Sequence, residues 1–150
     1  MRVVLQRVSR ASVTIRGVVK GQIGAGLLVF VGFRKGDTPA ELEFLARKLT
    51  GLRIFEDDSG KMNLSATDLD AELLIVSQFT LYGDSQKGSR PSFIEAEEPV
   101  LAEALYDKFV AMLRSIRGDS KVSTGVFRAM MEVELVNSGP VTLILDKCHS

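Results

Sequence analysis

The 150-residue chain is predicted to form a compact α+β fold in a single domain. Three observations carry this expectation. Two amphipathic helical stretches sit among about eight short runs of strand type. No segment repeats, and no interdomain linker divides the chain. The composition, 45% hydrophobic with 25% charged, suits a domain with a core and a solvated surface.

Residues 1–33 read as three strands. Val3-Val4-Leu5 opens the first, which runs on toward Val13-Thr14-Ile15; Gly17 turns the chain and residues 18–23 form the second. After Gly24-Ala25-Gly26, the run Leu27-Leu28-Val29-Phe30-Val31 is apolar on both faces, as in a central, doubly covered strand. Arg7 shares the parity of Val3 and Leu5, so a regular strand aims its guanidinium at the face they bury. It is either paired or hydrogen-bonded there, or carried to water by a bulge or by snorkelling.

Thr38-Pro39-Ala40-Glu41 is a capping box with Pro at the first helical position. Leu42, Leu45, Ala46, Leu49 and Leu52 follow at helical spacing and form the apolar stripe of a cover helix. Arg53-Ile54-Phe55 resumes a strand, and Asp57-Asp58-Ser59-Gly60 reads as a hairpin turn. Its acids lack the further ligands of a calcium loop. Leu73-Leu74-Ile75-Val76 is another buried strand, ending in Ser77-Gln78-Phe79-Thr80. Polar residues just after a core strand are where α/β proteins place ligand groups.

Residues 82–93 are a long polar connection. Its Lys87-Gly88-Ser89-Arg90 stretch suits phosphate oxygens, and equally a solvated loop. Pro99 opens the second helix behind Glu95, Glu97 and Glu98, with Leu101, Leu105, Phe109, Met112, Leu113 and Ile116 as its apolar stripe and Gly118 as its end. Ala129, Met131, Val133 and Leu135 then alternate with Met130, Glu132, Glu134 and Val136, a period-two pattern. Val141-Thr142-Leu143-Ile144-Leu145 is a further strand, and Gly139-Pro140 marks the break between them. An ordinary strand connection fits this break, as does a type VI turn with a cis Pro140.

Charge and motif content narrow the chemistry. The first 36 residues hold seven basic side chains and no acid, leaving 12 basic and all 19 acidic residues beyond them. Either a surface that meets a polyanion or solvated strand faces accounts for this. A single cysteine, Cys148, permits no internal disulfide, and no secretory signal or membrane span is apparent, so a cytoplasmic location is expected. Walker, dinucleotide, H-E-x-x-H and G-x-S-x-G motifs are missing, and neither cofactor nor metal is expected.

His149, the one histidine, neighbours Cys148, but adjacent residues do not aim their side chains together and no third group orients them. What remains is hydroxyls, an amide side chain, backbone donors and a group belonging to the substrate. That equipment suits an activated ester, where positioning and an oxyanion hole carry most of the rate. Thr80 as nucleophile and backbone N–H groups near Gln78 and Phe79 both stay open. A non-catalytic RNA- or nucleotide-binding module is the reading from another class.

Short motifs spread along the whole chain carry a resemblance that favours the enzyme class. They are Leu5-Gln6-Arg7-Val8, Arg53-Ile54-Phe55, Gly60-Lys61-Met62-Asn63-Leu64, Ser77-Gln78-Phe79-Thr80-Leu81, Arg90-Pro91-Ser92-Phe93, Ala104-Leu105-Tyr106, Thr124-Gly125 with Phe127, and Asn137-Ser138-Gly139-Pro140-Val141-Thr142. In this order and spacing the chain resembles the D-aminoacyl-tRNA deacylases. The resemblance implies mixed and antiparallel sheets in a barrel-like core with two helices. It implies hydrolysis of the ester between a D-amino acid, or glycine, and the 3′-terminal adenosine of tRNA.

It further implies a homodimer in which the Gly139–cis-Pro140 element of one subunit enters the other's pocket, holds the substrate amino group and excludes an L side chain. Arg7 would brace that element. Ser77, Gln78 and Phe79 would line the carbonyl and adenosine pocket, with the Phe79 N–H as oxyanion donor and Ala129 and Met130 beside it. Thr80 or the ribose 2′-hydroxyl would activate the attack, and the lack of a usable histidine favours the hydroxyl. Two positions depart from the family pattern: Ser138, where an acid is frequent, and Arg128, where small residues are frequent.

Overall fold

Strand β1 (Arg2–Ile15) is long enough to organise the sheet alone. Along one edge it pairs antiparallel first with β3 (Gly26–Gly32) and then with β2 (Val18–Ile23). Along its other edge it pairs antiparallel with β8 (Glu132–Asp146). Beyond β3 the sheet continues in parallel through β6 (Glu72–Ser77) and β7 (Val122–Thr124). The computed structural model describes residues 1–148. His149 therefore lies outside the described residues, while Cys148 is exposed.

The parallel pairings require crossovers, and the helices supply them. Helix α1 (Pro39–Gly51) lies between β3 and β6, and α2 (Pro99–Arg117) between β6 and β7. The capping box at Thr38 forms: Glu41 Oε2 accepts from the Thr38 N–H and hydroxyl, each at 2.6 Å. A small antiparallel hairpin, β4 (Phe55–Glu56) with β5 (Met62–Leu64), stands apart from the main sheet. The strand expected at 53–55 is thus only its short entry. The Asp57 carboxylate closes the turn, accepting from the Ser59 and Lys61 N–H groups, and these bonds hold it below the usual carboxylate range.

Two apolar layers follow from the alternation of the strands. Val3 and Leu5 of β1, with Leu27, Val29, Leu73 and Ile75, pack against the helices. Leu28, Leu74 and Val76 point the other way and meet Val8, Ala11, Val13 and Ile23. β1 serves both layers because its register shifts around Val8. That irregularity keeps Ala11 and Val13 on the side of Val8 rather than that of Val3 and Leu5.

The sheet curls until its ends almost meet. A Cβ at Gly21 of β2 would lie 2.5 Å from the Thr124 carbonyl oxygen, so only glycine permits that approach. The core is accordingly barrel-like, with two helices outside it, and the expected fold class holds. No helix among the described residues is long and apolar enough to cross a membrane.

Two details differ from expectation. On α2 the buried residues are Ala102, Tyr106, Phe109, Val110 and Leu113, whereas Leu101 and Ile116 are exposed. The apolar stripe is rotated because the buried Tyr106 replaces a purely aliphatic seam. Residues 129–131 precede β8 rather than opening it, and Gly139-Pro140 does not divide two strands. A single strand passes through it.

Candidate active site

The Gly139–Pro140 element is an outward loop within β8. Gln6 pairs with Thr142 and Val8 with Asn137, so residues 138–141 stand opposite Arg7 alone. Asn137 closes this loop: its Oδ1 accepts the Val141 N–H and its Nδ2 donates to Thr142 Oγ1, each at 3.0 Å. The Gly139–Pro140 peptide is cis, Gly139 has φ +130°, and both residues are exposed.

Beneath the loop lies Arg7, 8% exposed. Its Nε donates to the Ser138 carbonyl at 2.9 Å and its Nη1 to the Ile54 carbonyl at 2.8 Å. The odd parity of Arg7 is therefore that of a buried, hydrogen-bonded guanidinium, and no bulge carries it to water. Ser138, one of the two departures, meets Arg7 through its main chain, which any residue supplies.

The second constellation forms where β6 ends. Gln78 extends the parallel pairing by donating its N–H to the Val31 carbonyl at 2.7 Å. The chain then winds into a single 3-10 turn, Phe79–Tyr82. Its first amides, those of Phe79 and Thr80, find no acceptor among the described residues, as expected at the start of a helical turn. The Gln78 amide nitrogen contacts Thr80 Oγ1.

Ser77, Gln78 and Phe79 form one wall of a cleft of about 450 Å³, and Arg128, Ala129 and Met130 form another. Two stretches fifty residues apart in sequence are thus brought together. Met130 is 90% exposed at the rim. Thr80, Arg7, Gly139 and Pro140 do not line this cleft of their own chain.

A second cavity, about 420 Å³, shares Phe79, Phe127 and Arg128 with the first. Phe79 and Phe93 meet edge to face there at 5.1 Å and remain 59% and 38% exposed. Half-open aromatic rings of this kind are platforms for stacking.

Tyr106 holds the junction from behind. Its hydroxyl donates to the Ile75 carbonyl at 2.9 Å and its ring packs against Phe127 at 5.7 Å. Burial raises the Tyr106 phenol well above its ordinary pKa, so it remains a donor. Sequence reading did not single out Tyr106, Phe93 or Asn137 as site residues. Tyr106 had a signal, its place at helical spacing between Ala102 and Phe109; Phe93 and Asn137 had none beyond the motifs that contain them.

The cleft's electrostatics are spare. Among the described residues, Arg128 is the one ionisable side chain lining it. Among the described residues no three His, Cys, Asp or Glu side chains gather as a metal site requires. What the cleft presents is an amide, a hydroxyl, the unpaired Phe79 backbone N–H and apolar walls. Such a site can orient a carbonyl and stabilise developing negative charge; it offers no side-chain base.

The family model described as D-Tyr-tRNA(Tyr) deacylase matches residues 4–146. The D-aminoacyl-tRNA deacylase of Halothermothrix orenii is 58% identical over 146 residues, covering 97% of each chain. Among solved structures, the c-Myc DNA Unwinding Element Binding Protein is 42% identical with a TM-score of 0.95, covering 99% of this chain and 100% of that one. A probable eukaryotic D-amino acid tRNA deacylase shares the fold at TM-score 0.83 and 23% identity, covering 97% and 98%. The chain belongs to the D-Tyr-tRNA(Tyr) deacylase family and is a hydrolase with D-aminoacyl-tRNA deacylase activity.

Proposed function

We propose that the chain removes D-amino acids, and glycine, from the 3′-terminal adenosine of cytoplasmic tRNA by a chiral filter assembled from two subunits. The observation that carries this is the separation of the two constellations within one chain. The loop at Gly139–Pro140 is exposed and lines neither the Ser77–Phe79 cleft nor the aromatic cavity of its own subunit. A homodimer joins them: Gly139 and Pro140 of the partner subunit close the cleft. Their main-chain atoms then hold the substrate amino group and leave no space for an L side chain.

The aminoacyl ester lies along Ser77 and Gln78, with the adenine on the Phe79–Phe93 platform. The Phe79 N–H, free at the start of its turn, faces the developing oxyanion. With no side-chain base lining the cleft, the ribose 2′-hydroxyl activates the attack on the ester carbonyl. Ala129 and Met130 bound the opening through which the variable D side chain leaves.

The paired assay is the test. The chain is incubated with D-tyrosyl-tRNA and with L-tyrosyl-tRNA, and loss of the esterified amino acid is followed. Hydrolysis of the D-ester at least ~100-fold faster than the L-ester is expected, a discrimination that steric exclusion supports. Binding of both without turnover would identify a plain RNA-binding module instead.

Thr80→Ala separates the two chemistries. Thr80 is exposed and off the cleft wall, so within about twofold of full activity is expected. A ~1,000-fold loss would make Thr80 the nucleophile.

A further inference from the structure

Arg128 is out of keeping with its local backbone. The Ala129 N–H donates to the Val126 carbonyl at 3.2 Å, closing a four-residue turn with Arg128 at its third position. Arg128 has φ +65° there, the left-handed region that a turn of this kind reserves for glycine. An arginine held in such a conformation at a site is an outlier from which function is inferred, since packing gives no reason for it. The side chain is exposed, and among the described residues no carboxylate lies within ion-pair distance.

Its position gives the reason. Arg128 borders both the ester cleft and the aromatic cavity, and among the described residues it is the only cation lining either. The other charged residues there are Glu97 and Glu98, both lining the aromatic cavity, and Glu98 pairs with Lys35 at 3.8 Å. With the adenine in one cavity and the aminoacyl group in the other, the ribose bridges them beside Arg128. The one anionic group attached to that ribose is its 5′-phosphate.

We propose that Arg128 binds the phosphodiester that joins the terminal adenosine to the preceding nucleotide. It thereby distinguishes an ester on RNA from an ester on a free nucleoside. A planar guanidinium suits the two free oxygens of that group. This assignment rests on the proposed placement of the aminoacyl-adenosine. The phosphate contact itself adds a binding residue to the site and no chemical step.

The test compares D-tyrosyl-tRNA with D-tyrosyl-adenosine, which carries the same ester and no phosphate. For Arg128→Gly, kcat/KM on the tRNA is expected to fall roughly 10-fold further than on the nucleoside ester. The dependence of log kcat/KM on log salt should become shallower by about 0.7, the value for one contact on a single strand. Glycine suits the turn, so the thermal midpoint should stay at or above that of the wild type. Arg128→Lys keeps a point charge and should recover part of the loss on tRNA only.

Equal losses on both substrates, or an unchanged salt slope, overturn the assignment. No hydrolysis of either D-ester by the wild-type chain removes the functional reading beneath it, and the assignment with it.

Discussion

Gly139→Ala is expected to lower kcat/KM toward D-tyrosyl-tRNA by about 100-fold, the scale of loss when a positioning element shifts by roughly 1 Å. A Cβ at this position would lie 2.8 Å from Arg7 Nη2, 3.0 Å from Val141 Cγ2 and 3.2 Å from the Val141 nitrogen. The first contact involves the end of a long side chain, which elsewhere would swing aside. Here the guanidinium is buried and tied to two carbonyls, and the last contact is backbone. At φ +130° an L residue is also strained on its own account. The loop must move, carrying Pro140 with it.

The strain should cost about 1–3 kcal/mol, too little to unfold a domain of this size. Far-UV circular dichroism should therefore match the wild type while steady-state deacylation falls. Wild-type rates with D-tyrosyl-tRNA would show that the main chain at Gly139 is not part of the filter.

Arg7→Met should be the more damaging change to the fold. Methionine fills much of the same volume but donates nothing. Its substitution strands the Ile54 carbonyl, which accepts from Arg7 in a buried setting, and the Ser138 carbonyl, which does so in a part-buried one. Hydrogen bonds from charged donors contribute about 1.5–3 kcal/mol each, so a loss of roughly 3–6 kcal/mol is expected. Urea denaturation should report it as a lower midpoint at an unchanged slope.

Activity should fall with stability, because the loop that Arg7 underpins is the one we propose enters the neighbouring cleft. Arg7→Lys should fall between the two. An ammonium has the charge but lacks the rigid fork that reaches two carbonyls in different directions. A Met variant with the wild-type urea midpoint would contradict this account of Arg7.

Much of the architecture was legible in order. The all-apolar run at 27–31 announced a doubly covered strand, and β3 does lie between β1 and β6 with cores on both sides. The capping box at Thr38 fixed where α1 begins. Each of these is local: the period of a strand and the bonds of a cap are written within a few residues. The phase of α2 was less legible, because a tyrosine with an internal carbonyl partner buries as well as a leucine, and that partner lies on another element.

The last strand differs from the expected pair for a related reason. Gly-Pro is a sound signal that a ladder is interrupted, but sequence cannot say whether the chain reverses or merely steps out and rejoins. The pairing of Thr142 with Gln6 and of Asn137 with Val8 decides for the second. That pairing depends on β1, more than a hundred residues earlier.

By itself, the sequence determined most of the elements, the family and the poverty of the site in side-chain bases, since these follow from local pattern and residue type. The tertiary structure alone decided that Ser77–Phe79 and Arg128–Met130 share one cleft, and that Arg7 is spent on holding the Ser138 carbonyl. The reason is physical. Parallel pairing of β3 with β6 and the curl of the sheet bring these groups together, and both are long-range arrangements of main chain that no short stretch encodes.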